Sequence, residues 1–300
     1  MKILLLGRNG QVGKSIYHKK KRGQEIRTVG RETLPFDDGY LLLKNFQLVL
    51  MEFKPDVVVN AIAYTNVDQA EEEKDLAFKI NGFSLEIIAS VIRKFNKNFK
   101  PVTLIHFSTD YVFDGSGTKP WVPSDIPKPL NTYGHSKLYG EQVIISADIP
   151  FIILRISWIY SIYSKNFLLS IFKRIKDGGT LRVVSDQIGT PTSATFVSEF
   201  CHHLFKNFNY LEKTGVYHLS PKGVASWFDF ANYILLTLKK GSTLIQQRSS
   251  EIRPILSKDY STMAKRPKNS RLDSTLLVNS FDFEISSWKT LAEREIKKLI

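Results

Sequence analysis

The chain begins with a polar Lys2 and four apolar residues, Ile3 to Leu6, that stop at Gly7. A short apolar run closed by glycine predicts a strand buried on both faces. "QVGKSIYHKKK" follows with helical spacing, and "EIRTVGR" predicts a second strand. "PDVVVNAIA" predicts a third, introduced by proline. A long helix is expected from Asp68, where "VDQAEEE" offers a capping aspartate and acids for the first turn. "VTLIHFS" predicts a fourth strand, and a polar, proline-rich loop runs from about Gly115 to Asn131. A helix carrying Tyr133 and Lys137 comes next, and "FIILRIS" predicts a fifth strand. Beyond Ser157 the pattern loosens, with "TLRVVSD" as one further strand. Strand and helix alternate through the first half, so an α/β fold with a doubly wound parallel sheet is expected. Residues 1–157 form the expected first domain. Residues 158–300 form a smaller lobe, from which the chain crosses back to the first domain.

Composition narrows the classes. With 43% hydrophobic and 12% aromatic residues in 300, the chain is globular rather than disordered. The single cysteine, Cys201, allows no intrachain disulfide and fits a reducing compartment. Its neighbours read as a helix, so it is expected to be a buried, inert thiol. His202 and His203 point in different directions on such a helix and are not expected to share a metal. No secretory pattern and no membrane-spanning run is present in the sequence, and the cytoplasm is the expected location. The net charge of +13 allows a nucleic-acid partner or anionic small ligands. Its densest run, Lys19 to Arg22, falls where the first helix ends, and cations suit that pole of a helix. No aromatic-basic stripe accompanies it, so no nucleic acid is expected as a partner.

Gly7, Gly10 and Gly13 form G-x-x-G-x-x-G between the first strand and first helix. The turn must be sharp, let a pyrophosphate approach the backbone, and pack a helix closely on the sheet. Glycine serves each need, and the helix offers free N–H groups to phosphate. This context predicts a Rossmann-type dinucleotide site. The second strand ends in Gly30-Arg31, where an acid would favour NADH. Arg31 suits a 2′-phosphate instead, so NADPH is expected, while Glu32, Asp37 and Asp38 keep NADH open.

Tyr133 and Lys137 share one helix face. A lysine nearby favours the phenolate and is expected to lower the tyrosine's pKa from about 10. Such a tyrosine can protonate a ketone oxygen as hydride reaches the carbon, while the lysine can hold the nicotinamide ribose. Thr109, at the end of the fourth strand, lies where ligands bind in such sheets, and its hydroxyl can reach the same oxygen.

"GRNGQVG", "PDVVVNAIAYTNVDQAE", "STDYVFDG", "YGHSKLYGE", "LRISWIY", "KNF", "DQIGTPT", "YHLSPKGVASWFDFA" and "RPKNSRLD" occur in that order. Together they resemble the extended short-chain dehydrogenases/reductases, most closely the dTDP-4-dehydrorhamnose reductase family, nearly end to end. The resemblance implies an oxidoreductase that reduces the C4 ketone of dTDP-4-dehydro-L-rhamnose, with a substrate-binding C-terminal lobe. It implies Thr109, Tyr133 and Lys137 as the catalytic trio. Gly7, Gly10, Gln11, Val12 and Gly13 would lie against the cofactor pyrophosphate. Ala61, Ala63 and Tyr64 would line its cleft beside Tyr133 and Lys137, with Asp38 near the adenosine. Asp110, Tyr111 and Trp158 would face the sugar. Gln187 and the segment from Arg266 to Ser270, including Asn269, would lie near the substrate nucleotide. A nucleotide-sugar partner follows, and a homodimer stays open.

The chain departs from the family at Ser161, where a glycine usually follows "SWxY". Some members bind magnesium at a subunit contact, but no metal site is assigned here. Two rival readings remain. An epimerase or dehydratase of the same superfamily, or a reductase acting on another nucleotide sugar, is one, although Tyr111 follows Asp110 where dehydratases carry a second acid. A non-catalytic regulatory subunit on the same fold is the other.

Overall fold

The structure is a computed structural model that describes residues 1–241, 243 and 250–300. Its centre is a sheet of six parallel strands. Five come from the first half: β1 (Lys2–Leu6), β2 (Glu25–Val29), β3 (Val57–Asn60), β4 (Thr103–Thr109) and β5 (Phe151–Ile156). The sixth, at the edge beside β5, is Gly215–His218. Strand order reverses between β1 and β3, since β1 has β2 on one side and β3 on the other. In open parallel sheets that reversal opens a crevice at the carboxyl ends of the strands.

Alternation along the strands assigns two cores. Leu4 and Leu6 of β1 join one cluster, with Leu42, Phe46, Ile88, Ile92 and Ile144. These come from helices α2 (Gly39–Phe53), α4 (Ser84–Asn98) and α5 (Thr132–Ile145). Ile3 and Leu5 join the opposite cluster, with Ile16 of α1 (Gln11–His18) and Phe196 and Phe200 of the helix Ala194–Leu204. The apolar residues of β1 are thus buried on one side or the other, and that run needs no polar face.

The expected long helix from Asp68 is broken. A single turn, Gln69–Glu71, precedes a short α3 (Lys74–Phe78), a π-helical turn at Lys79–Phe83, and only then α4. Asp68 caps nothing; its carboxylate accepts from Ala264 N–H and pairs with Arg266. A distant arginine has outcompeted the local helix start.

"TLRVVSD" does form a strand, Gly179–Val184, but it pairs with Ser250–Ile255 in a separate two-stranded sheet. A third core fills this region, around Tyr160, Leu168, Phe230, Trp288 and Ile296. The second half also returns to the first. Gly215–His218 extends the main sheet, and Ser198 and His202 bond to carbonyls of α1. Cys201 is buried among these contacts, and burial pushes its thiol pKa up. His202 reaches the Ile16 carbonyl and His203 the Phe281 carbonyl, so the two rings serve different carbonyls.

Candidate active site

The glycine turn lies at the strand reversal. Gly7 has a φ of +86°, a conformation that side chains resist, and a Cβ there would stand 2.6 Å from Ile62. A Cβ on Gly13 would stand 2.1 Å from the Gly7 carbonyl oxygen. These two glycines make the turn. Gly10 is different: a Cβ there would find its nearest atoms at 3.7 and 3.8 Å. Its absence leaves room above the start of α1, where no side chain caps the first N–H groups. A backbone cradle with free N–H donors at a helix start fits a pyrophosphate. Val12 and Ala61 pack beneath the turn, against the second core. Gln11 places its amide oxygen 2.9 Å from Ser161, so the departure at Ser161 ties the second half to the nucleotide turn.

A cavity of about 420 Å³ opens past the ends of β2 and β3, lined by Arg31, Asp37, Ala63 and Tyr64 among others. The Tyr64 hydroxyl donates to Glu73 at 2.7 Å, and its backbone N–H is held by Asn81. Asp38 is absent from this lining. Its carboxylate caps α2 by accepting from Leu41 N–H at 3.0 Å, and Asp37 is the acid of the pair that lines the cavity. Glu32 folds back against Gly30, leaving both an acid and an arginine at the end of β2.

Thr109 ends β4, and its side chain accepts from the Tyr111 N–H at 3.1 Å. Tyr133 lies in the first turn of α5, capped by Asn131, with the Thr109 hydroxyl near enough to lower its pKa. The expected acidification of Tyr133 is not found. Burial raises its pKa, the Thr109 contact lowers it, and the charge of Asp110 raises it further. Lys137, one turn on, is committed elsewhere: its Nζ is 2.6 Å from the Phe107 carbonyl oxygen and 3.0 Å from His106 Nε2. Burial lowers the lysine's pKa to about 7, while Glu141 acts in the other direction. Loss of water, with no acid in direct contact, disfavours the ammonium form.

Asp110 is 2% exposed, and burial pushes its pKa up to about 7 against the contacts with Ser270 and Thr109. Its Oδ2 has no hydrogen-bond partner. Tyr111 meets Tyr133 edge-on, and its phenol feels the charges of both Asp110 and Arg266. Arg266 lines a larger cavity of about 1290 Å³, together with Asp68, Gln187, Trp227 and Lys268 among others. Trp158 is stacked on Trp227 with ring centres 3.7 Å apart. Trp227 lines the cavity, and Trp158 supports it from behind. Asn269 is buried with its amide spent on Lys119 and Arg271, so its side chain shapes the loop. The Arg266 guanidinium is forked onto Asp68 at the cavity wall. Among the described residues, no group of three or more His, Cys, Asp or Glu could hold a metal ion. No described helix is long and apolar enough to cross a membrane.

A family model described as RmlD substrate binding domain matches residues 1–300. The chain belongs to that family. Among curated relatives, the dTDP-4-dehydrorhamnose reductase of Salmonella typhimurium is 32% identical over 300 residues, spanning 100% of this chain and 98% of that protein. The dTDP-4-dehydrorhamnose reductase of Bacillus anthracis, solved in complex with NADP, superposes with a TM-score of 0.87 at 29% identity, covering 99% of each chain. The Clostridium acetobutylicum ortholog matches with a TM-score of 0.87 at 30% identity, covering 100% of this chain and 99% of that one.

Within this RmlD-family chain, three residues do more than their local pattern predicts. His106 falls within the fourth predicted strand, Asn60 within the third, and Asp68 at an expected helix cap. The signal for the first was available: a histidine at an alternate position of a strand buried on both faces must find partners inside. Asn60 and His106 are register partners on adjacent strands, on the sheet face that α5 covers. Arg155 of β5 shares that face and makes a buried two-pronged pair with Glu141 of α5, at 2.6 and 3.0 Å.

Proposed function

We propose that the chain is an NADPH-dependent reductase of the C4 ketone of dTDP-4-dehydro-L-rhamnose, yielding dTDP-L-rhamnose for surface-polysaccharide synthesis in the cytoplasm. One observation carries the reading. The glycine turn, Ala61, Asn60, His106 and Lys137 form one unbroken line of contacts, which brings the catalytic helix to the dinucleotide cradle. The cradle at Gly7, Gly10, Gln11, Val12 and Gly13 would hold the pyrophosphate. Arg31 would take the 2′-phosphate, and Ala61, Ala63 and Tyr64 would line the cleft. The reduced cofactor supplies hydride to the carbonyl carbon.

Tyr133 supplies the proton. Its raised pKa keeps the phenol protonated at neutral pH, the state that a general acid for ketone reduction must hold. Thr109 fixes the phenol's direction and offers the ketone oxygen a second donor. Asp110 and Tyr111 would face the sugar. In the larger cavity, Gln187 and Arg266 would meet the nucleotide, with arginine forking onto phosphate. Asn269 and Trp158 would act through the loops and rings they support. In this reading residues 1–157 hold the cofactor and share the sugar, residues 158–300 mainly bind the substrate, and Gly215–His218 ties the two parts together.

A homodimer is part of this reading, and the half-exposed Phe83, packed against Phe78 and Tyr139, is the position at which we propose the contact. Light scattering gives the mass directly. The function is tested by incubating the protein with C4-deuterated NADPH and dTDP-4-dehydro-L-rhamnose. The reading requires dTDP-L-rhamnose with deuterium at C4. NAD+ retained through purification, with no NADPH consumption, would favour the epimerase reading.

A further inference from the structure

Neither neighbour of the Lys137 ammonium position is an anion, and the order of donors and acceptors around it is unusual. Asn60 Oδ1 accepts from the Ile62 backbone N–H at 3.1 Å. That bond fixes the amide, because turning it over would set an NH2 group against a backbone N–H. Asn60 Nδ2 then faces His106 Nδ1 at 3.2 Å as a donor, so Nδ1 must accept. A neutral imidazole carries one N–H, which therefore sits on Nε2, 3.0 Å from Lys137 Nζ. An ammonium has three donors and no acceptor, so it would meet a second donor head-on. A neutral amine has a lone pair. It accepts from His106 Nε2–H and donates to the Phe107 carbonyl at 2.6 Å. Every bond from Ile62 to Phe107 is then satisfied. An imidazolium at His106 breaks the series, since its Nδ1–H would face the Asn60 amide NH2.

We propose that Asn60 and His106 are positioning residues that hold Lys137 as a neutral amine in the free protein, and that Lys137 takes up a proton when a nicotinamide dinucleotide enters the cleft. The second half rests on the cofactor reading above; the first half does not. Ribose oxygens and phosphates bring acceptors and negative charge, and both favour an ammonium. Burial already depresses the pKa of His106 and of Lys137, which agrees with two neutral groups in contact. The surrounding charges leave room for this. Glu141, on the same helix, is paired to Arg155 of β5. Glu71, from the turn before α3, is bound to Thr132. Asp110 borders Tyr133, and burial holds Tyr133 neutral. A lysine that is charged only in the loaded site couples cofactor binding to proton uptake.

Long-range 1H–15N NMR of the free protein reads the tautomer of each of its six histidines. His106→Gln identifies the resonance, with His106→Asn as a second variant should the first fail to fold. The expected result is a neutral Nε2–H tautomer that does not titrate between about pH 6 and 9. Calorimetry of NADPH binding at about pH 8, in two buffers of different ionisation heat, measures proton uptake. Uptake approaching one proton per site is expected for the native chain. Less is expected for His106→Gln, whose amide oxygen can face the lysine and stabilise an ammonium beforehand. An Nδ1–H tautomer, an imidazolium, or binding heats independent of buffer would overturn the proposal. Absence of any binding heat would contradict the cofactor reading instead, and the tautomer would still decide the state of Lys137.

Discussion

Arg266 is forked onto Asp68, with Nη2 2.6 Å from Oδ2 and Nη1 3.0 Å from Oδ1, across 198 residues of chain. The pair joins the segment after β3 to the carboxyl-terminal segment at the wall of the larger cavity. Both side chains remain partly exposed, at 22% and 37%, and such pairs add little to stability. Orientation of the guanidinium is the more useful consequence. Arg266→Ala should therefore raise the KM for the nucleotide sugar by about 10- to 100-fold, the cost of losing a charged hydrogen-bond pair. Its KM for NADPH and its urea midpoint should change little. Asp68→Ala leaves the guanidinium without its orienting partner and should raise the same KM by a smaller factor. An unchanged substrate KM in Arg266→Ala would mean that the fork is structural only.

The glycines separate folding from binding. Gly13→Ala forces a methyl group into the Gly7 carbonyl and should destabilise the fold by about 1–3 kcal/mol, as overpacking does. Gly10→Ala meets no close atom and should leave stability within about 1 kcal/mol. It should nevertheless weaken NADPH binding, because the methyl occupies the space above the helix start. Urea melts and cofactor titrations of both variants check this. Unchanged NADPH affinity in Gly10→Ala would count against the cradle.

Lys137 makes stability depend on pH. Its pKa is depressed from 10.5 to about 7 in the fold, so between those values the unfolded chain binds the extra proton. Stability from this group is complete above the unfolded pKa and falls as pH drops toward about 7. Lys137→Met lacks that slope. The variant should be more stable than the native chain near neutral pH, with the advantage shrinking toward pH 10, while reduction is lost. Asp110 contributes the opposite slope lower down. Its pKa is raised from 3.8 to about 7, so its contribution is present below the unfolded value and is lost as pH rises through about 7. Urea midpoints measured across pH for Lys137→Met and Asp110→Asn would show whether each slope disappears with its residue.

Cofactor choice should depend on Arg31. It lines the smaller cavity with Ala63 and Tyr64, where no Asp38 carboxylate competes. Arg31→Ala should raise the KM for NADPH by about 10- to 100-fold and leave that for NADH nearly unchanged. A parallel rise for both cofactors would place the 2′-phosphate elsewhere.

Local signals carried much of this fold. Apolar runs such as Ile3–Leu6 and Val57–Val59 marked strands covered on both faces, and Gly7, Gly10 and Gly13 marked the turn. What stayed hidden depended on partners far along the chain. Asp68 has the sequence context of a helix cap, but Arg266 takes its carboxylate. Gly215–His218 joins the main sheet only because β5 offers it an edge. Spacing brought Tyr133 and Lys137 to one helix face, yet their proton affinities follow from burial and from His106, which no helical spacing reports. Asn269 had the right neighbourhood for a ligand, but the loop consumes its amide.

The central claim is that the Tyr133 phenol protonates the ketone. Steady-state NADPH oxidation with dTDP-4-dehydro-L-rhamnose, run on the native chain and on Tyr133→Phe, tests it most directly. The native chain should turn over, and the variant should lose about 10²- to 10⁴-fold in kcat with its NADPH affinity retained. A variant that reduces the sugar at the native rate would contradict the account.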